Sequence, residues 1–406
     1  MASATSSGKD VKGAHFVPRM YLKRFSPTWE SNHKKELSYI FLSSYNRPVP
    51  DLQSYAKHCT KYKFYGEDGT TETFLQRKEA EWDHAIRHVV SEEPLTNDDE
   101  QLIREFVIYQ LYRTPTWIDT TNKLMQAYID WAARNILDDE LREEYTSPLR
   151  SILEQLDPAR YIERGKEQTV ATQDLKLAFA RCETEVELIT SDAPVLVFNP
   201  YAWGATTLDA IGIMLICPLD PCHFVIMYDE GIYQIKPPSN GCIYITDDNT
   251  IQMLNCYQYL MSGNVLFSYS PFTGNEFVDD IKQLREQVKE HRQYKGEHSN
   301  ELLDDIYNEA PQLKERFHIE EFYTISHCFI RVKEMYRTVF ERQRPSYCQN
   351  ERAIKQSVLQ RLAKKKIFPF ENKKTISALS HEEKMALCNI ARAFEYYWEQ
   401  QEKESI

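Results

Sequence analysis

The sequence predicts an α+β fold: a helical layer packed on a mostly antiparallel sheet, with an appended C-terminal helical domain. Three observations carry this. Between about 70 and 180, apolar residues recur at helical spacings of three, four and seven. Between about 184 and 270 they change to alternation and short apolar runs. From about 276 the chain is charged and again helical in period. At 406 residues, 42% hydrophobic and 12% aromatic, it is long and apolar enough to bury a sizeable core. The predicted division is a disordered leader over 1–13, an α+β core over 14–275 and a helical domain over 276–406.

The leader is small and polar, which predicts disorder. The next run, His15 to Phe25, sets aromatic, aliphatic and basic residues around one His and one Pro. A disordered leader would lack the apolar half, and a secretory signal would need a longer uninterrupted apolar stretch. The run therefore predicts a docked segment presenting His15, Arg19 and Arg24. Leu37, Tyr39 and Phe41 alternate within a strand over about 36–45, and Lys63 to Gly66 closes a short strand or turn.

Over 71–90, Leu75, Trp82, Ile86 and Val89 form one helical stripe, and Glu79 falls on it. Thr96 with Asp99 is a capping box for the next helix, where Leu102, Phe106 and Tyr109 form a stripe that Arg113 continues before Pro115. A long helix follows over about 116–137, with further helices up to about 181.

Strands are then predicted at Glu185–Thr190, Val195–Phe198, Ile211–Ile216, Phe224–Tyr228, Ile232–Ile235, Cys242–Thr246 and Val265–Tyr269. Asp229-Glu230-Gly231 reads as a hairpin turn, and a helix over about 248–261 interrupts the strands. In the tail, Val278, Ile281, Leu284 and Val288 form one stripe. A second helix is predicted over about 315–343, a third around Ile354, Val358 and Leu362, and a last one opened by Ser380 and Glu383.

The formal net charge of −12 favours solubility and opposes non-specific binding to nucleic acid, while leaving room for a local basic groove. No apolar run reaches membrane-spanning length, so no membrane partner is expected. Nine scattered cysteines without a C-x-x-C read as free thiols in a reducing, cytoplasmic setting. No Walker loop, G-x-G-x-x-G, G-x-S-x-G or H-E-x-x-H is present. Cys217, Cys222 and His223 lack zinc spacing. Arg77 and His84 share a helix face in a ribonuclease-like pattern, but a solvated face accounts for them better.

Several marks occur in a fixed order: His15-x-Val17-Pro18-x-x-Tyr21-Leu22-x-x-Phe25, Phe64-Tyr65, Glu79, Arg113-Thr114-Pro115, Thr190-Ser191-Asp192-Ala193-Pro194-Val195, Pro218-Leu219-Asp220-Pro221 and Asn255. Together they resemble a prokaryotic domain-of-unknown-function family, number forty-two thirty-eight, over roughly residues 14–270. The resemblance implies no established activity. Members resemble bacterial cytosolic proteins, some of them accessory to mobile elements and phage defence.

Glu79 and Arg113 both lie on apolar stripes, and burying either alone would be costly. One reading pairs them as a buried ion pair that fixes helix register. The other makes them a polar centre, with Glu79 as base or metal ligand. Asp192 either bonds turn amides before Pro194 or serves as a strand-end base or ligand.

Three functions are carried forward. The first is a bacterial defence-type or toxin-type effector acting on nucleic acid, a candidate nuclease that hydrolyses phosphodiesters. Its candidate catalytic residues are His15, Glu79, Arg113 and Asp192. Arg19, Arg24, Tyr21 and Ser191 are candidate substrate-binding residues, and a divalent metal on Glu79 and Asp192 is a candidate cofactor. The second is a non-catalytic interaction protein that docks a protein partner, or a second copy of itself, through 276–406, where Lys364 to Lys366 form a basic patch. The third is a small-molecule binder with its pocket between sheet and helices.

Overall fold

A computed structural model of the chain describes residues 13–29, 36–43, 47–49, 51–135, 139–155, 157–173, 175–198, 212–230, 232–235, 241–272 and 330–332, with residues 208 and 279 singly. The leader over 1–12, the tail helices and the Lys364 to Lys366 patch lie outside the described residues.

The His15 run opens as strand β1 (Ala14–His15) and turns into helix α1 (Arg19–Leu22). Pro18 sets this corner. Its φ of −66° is the ring's own value, and its carbonyl accepts the amides of Tyr21 and Leu22. A 3₁₀ turn over Lys23–Phe25 follows. The tight winding brings Val17, Tyr21, Leu22 and Phe25 to one side, and all four are fully buried. Next come β2 (Leu37–Leu42), β3 (Arg47–Pro48), β4 (Gln53–Ser54) and β5 (Thr60–Lys61). Strand β5 pairs antiparallel with β1.

Helix α2 (Thr70–Val90) buries Leu75, Trp82, Ile86 and Val89, as its period requires. Helix α3 (Asn97–Tyr112) starts at the Thr96–Asp99 capping box, with both reciprocal bonds formed. Arg113 is its C-cap. Pro115 opens helix α4 (Pro115–Asn135) at the first position, where its missing N–H costs nothing. Helices α5 (Asp139–Gln155) and α6 (Pro158–Ala171) complete the layer.

The helices do not continue to 181. Residues Lys176–Cys182 form strand β6. Leu177 and Phe179 pack against the core shared with the helices, while Ala178, Ala180 and Cys182 join the core on the other face. A period of two with apolar contacts on both faces overrides any helical tendency.

The remaining elements are β7 (Thr190–Ser191), β8 (Leu196–Phe198), β9 (Met214–Pro218), β10 (His223–Tyr228), β11 (Tyr233–Ile235), β12 (Cys242–Ile245), α7 (Asp248–Met261), β13 (Val265–Ser268) and β14 (Ile330–Val332). They form two main sheets where one was predicted. One runs β12-β6-β10-β9-β8, antiparallel except for β12 on β6. The other runs β3-β2-β13-β7, with β4 also on β2.

In the first sheet, Val195, Val197, Leu215, Cys217, Val225 and Met227 face the core under the helices. Leu196, Phe198, Met214, Ile216, Phe224 and Ile226 face α7. Burial on both faces explains why these strands read as unbroken apolar runs.

Three further expectations are corrected. Glu185 to Ile189 is not a strand. Asn255 clamps it instead, donating to the Glu187 carbonyl and accepting the Ile189 amide. The Asp229 turn forms, but β11 leaves β10 and pairs with β14. Residues 330–332, predicted within a helix, are that partner strand. The six described cysteines are free thiols, and no described helix is long and apolar enough to cross a membrane.

Tyr21 fastens the His15 run to both sheets. Its hydroxyl lies 2.6 Å from Thr190 Oγ1 in β7 and donates at 2.9 Å to the Pro218 carbonyl at the end of β9. Tyr21→Phe therefore strips bonds from two buried oxygens while keeping the ring. Urea unfolding of this variant should show a loss of about 1–3 kcal/mol. An unchanged midpoint would mean that the ring alone holds the run.

Candidate functional site

Arg113 stands at the end of α3, where the helix has just stopped and its side chain turns into the layer. It is 1% exposed. Nη1 donates to Glu79 Oε1 at 2.9 Å, Nη2 to the His15 carbonyl at 2.5 Å and Nε to the Tyr65 hydroxyl at 3.3 Å. One guanidinium thus joins α2, α3, β1 and the segment after β5. Neighbouring Gln110 donates to the Phe16 carbonyl at 3.1 Å. Burial disfavours the charge on Arg113, but Tyr65 and Glu79 outweigh it and hold its pKa above the ordinary value.

The expected Glu79–Arg113 contact is formed, but the two residues are not equally buried. The Glu79 side chain is 22% exposed and reaches a polar rim. Glu72, one stripe repeat earlier on α2, also belongs to that rim. Burial, and then the charge of Glu79, push its carboxyl pKa up. His15 is half-buried. Burial first, then Arg19 and Arg113, hold its pKa below the ordinary histidine value, so the ring is neutral near pH 7.

Arg19 pairs with Glu36 at the surface. Arg24 was expected to face solvent or an external anion. It pairs instead with Asp83 at 2.7 Å, beside Lys23 at 3.1 Å, and is mostly buried. Tyr21 and Ser191 are fully buried.

Asp192 holds a loop. Its Oδ1 accepts the Gly263 amide at 2.7 Å and its Oδ2 the Asn264 amide at 2.9 Å. Ser191 Oγ accepts the Ala193 amide at 3.0 Å and Gln258 Nε2 at 2.7 Å. A Cβ on Gly263 would come within 2.6 Å of Thr116 Oγ1 and 2.9 Å of Asp192 Oδ2, so a side chain there would push aside the carboxylate that holds the loop. Between the two centres lies Cys59, whose thiol is pushed up by burial first, then by Asp192, with Arg113 opposing.

The fold thus brings together His15, Glu79 and Arg113, and gives Ser191 and Asp192 a separate fastening role. Glu79 and Asp192, the expected metal pair, each engage their own partners. Among the described residues, the metal-type donors that lie together are His84, His88 and Asp99.

The sequence reading missed Glu72, although its spacing of seven from Glu79 on one stripe was visible. It also missed the His84-x-x-x-His88 pair. A small cavity lies beside the Asp192 turn, lined by Gln110, Thr114, Thr116, Trp117 and Ala193 among others. Its volume is about 30 Å³.

A family model described as "Protein of unknown function (DUF4238)" matches residues 14–270. No curated protein and no solved structure matches the chain.

Arg113→Ala should destabilise the fold at the lower end of the roughly 3–5 kcal/mol of a broken buried pair, because Glu79 keeps a route to water. Denaturant titration measures this, and Arg113→Lys should not restore the loss, since a compact ammonium cannot span the acceptors that Nε, Nη1 and Nη2 reach separately.

His15 sets a pH dependence whose sign follows from its depressed pKa. Its contribution is fully present above roughly pH 6.5, where the unfolded chain is also neutral. It is lost as pH falls through the folded-state value. The melting temperature of His15→Gln should accordingly fall less steeply on acidification than that of the parent. Parallel slopes would remove His15 from the buried centre.

Proposed function

The chain belongs to the DUF4238 family of proteins of unknown function, and from the geometry around His15 we propose that it binds single-stranded nucleic acid and cleaves the phosphodiester backbone by acid–base chemistry. The observation that carries this reading is the register of β1 on β5, with Ala14 opposite Lys61 and His15 opposite Thr60. This pairing sets the run Lys61-Tyr62-Lys63 beside the strand that bears the imidazole. Tyr62 is 69% exposed, the one large hydrophobic side chain so exposed among the described residues. The ammonium of Lys63 lies 5.4 Å from the Tyr62 ring centre, and that of Lys61 lies 5.3 Å from the Phe64 ring centre.

An exposed ring flanked by ammonium groups is a stacking platform for a base with partners for its phosphates. Glu67 pairs with Lys63 at 3.0 Å, but a surface pair of this kind is weak and yields to a phosphate. The strip is a local basic patch on a chain whose net charge is −12.

At the centre, a neutral His15 suits a base, and the Glu72 carboxyl, with its raised pKa, suits a proton donor. Arg113 holds the backbone of His15 and the Glu79 carboxylate at this centre. Proton transfer at two points is what attack by a ribose 2′-hydroxyl requires, so RNA is the favoured substrate. A defence-type or toxin-type effector role would rest on that activity.

A second reading, a non-catalytic interaction protein, is favoured by one observation. Tyr21, Arg113, Ser191, Asp192 and Asn255 all have side chains engaged in internal hydrogen bonds.

Fluorescence anisotropy with a labelled single-stranded RNA tests the first reading. Tyr62→Ala should weaken binding by about 1–3 kcal/mol, the worth of one stacked base. His15→Ala and Glu72→Gln, checked for folding by circular dichroism, should abolish cleavage while leaving Kd nearly unchanged. RNA that is neither bound nor cut by the folded parent protein would leave the interaction reading in its place.

A further inference from the structure

The opposite face and end of α2 carry a second constellation. His84 and His88 are four residues apart, one helical turn, and their rings meet edge to face with centroids 4.2 Å apart. Asp99, at the start of α3, meets them across the connecting turn, and one donor atom from each of the three lies within 4.8 Å of the others. We propose that His84, His88 and Asp99 form a binding site for a divalent transition metal of the zinc class, which staples the α2–α3 turn.

The spacing fits. His88 Nδ1 is 3.1 Å from Asp99 Oδ1, close to the roughly 3.3 Å that separates neighbouring ligands around a tetrahedral zinc with bonds of about 2.0 Å. Two imidazoles and one carboxylate select zinc and its neighbours, whereas magnesium and calcium take oxygen donors.

The surroundings are also built for it. Asp99 Oδ2 is held by the Thr96 amide at 3.0 Å and the Thr96 hydroxyl at 2.7 Å, which leaves Oδ1 aimed at His88. With Nδ1 on the metal, His88 carries its proton on Nε2, and Nε2 faces Glu93 Oε2 at 4.0 Å. A carboxylate behind a ligating histidine is the usual way its tautomer and ring plane are fixed.

The turn itself puts Glu93 there. The Glu93 amide bonds the His88 carbonyl and the Glu92 amide bonds the Val89 carbonyl, with Glu92 in the left-handed region at φ 52°. A histidine–aspartate ion pair would account for His88 and Asp99 but not for the second imidazole held against His88 one turn away. His84 is exposed, so three protein donors leave the remaining position open to water.

Titration of the full chain with zinc chloride by isothermal calorimetry tests this. One equivalent should bind, magnesium chloride should give no heat, and saturating zinc should raise the melting temperature. His84→Ala removes an exposed ring and spares the Asp99 cap. It should weaken zinc binding at least tenfold, and His84→Ala with His88→Ala should abolish the melting shift. Cobalt in place of zinc should give the intense visible bands of a tetrahedral ion, and these should be lost in the double variant. The proposal is overturned if zinc does not bind stoichiometrically, if the double variant binds it as tightly as the parent, or if magnesium competes equally.

Discussion

A single buried cation, the guanidinium of Arg113, sets the terms for the helical layer. A charge taken out of water must be met by acceptors on every side, and Arg113 finds them in Glu79, the Tyr65 hydroxyl and the His15 carbonyl. These acceptors come from three separate stretches of chain. None can shift without leaving the cation short of a partner, so α2, α3, β1 and the segment after β5 are held in mutual register. An apolar substitute for this buried ion could match its stability, but not the demand that these particular segments meet.

The same logic recurs throughout the core. Tyr21 ties the His15 run to β7 and β9, Asn255 replaces a ladder along Glu187 to Ile189, and Asp192 collects the amides of Gly263 and Asn264. Each is a polar side chain that satisfies backbone where regular pairing stops. These residues are therefore fasteners between a sheet buried on both faces and the layers covering it. The rim of this frame carries His15, Glu72 and the outer edge of Glu79, with Lys61 at the end of β5 and Tyr62 and Lys63 in the turn after it.

Helix α2 serves two regions at once. Its apolar stripe carries Glu79 toward Arg113, while its other face carries His84 and His88 toward Asp99. Glu92, just past its end, bonds Arg181 and Tyr244 on the first sheet. That anchorage accounts for a glutamate in a left-handed position where glycine is usual.

The local signals were legible in the sequence because they depend on near neighbours. The stripe of α2, the Thr96–Asp99 cap, Pro115 as a helix opener and the apolar strands all follow from residues a few positions apart. The pairing of Glu79 with Arg113 was also legible, since two charges on apolar stripes of consecutive helices have little else to meet. The β6 strand, the second sheet, the release of β11 to β14 and the burial of Arg24 on Asp83 were not, because each is decided by what lies across a face or an edge from another part of the chain. So too for the site. The sequence alone determined that His15, Glu79, Arg113 and Asp192 need partners. Only the tertiary structure decided that the first three share one centre, that Asp192 belongs to a loop, and that His84 and His88 face Asp99. Desolvation and hydrogen-bond geometry act on residues brought together in space, and periodicity along a chain carries no record of them.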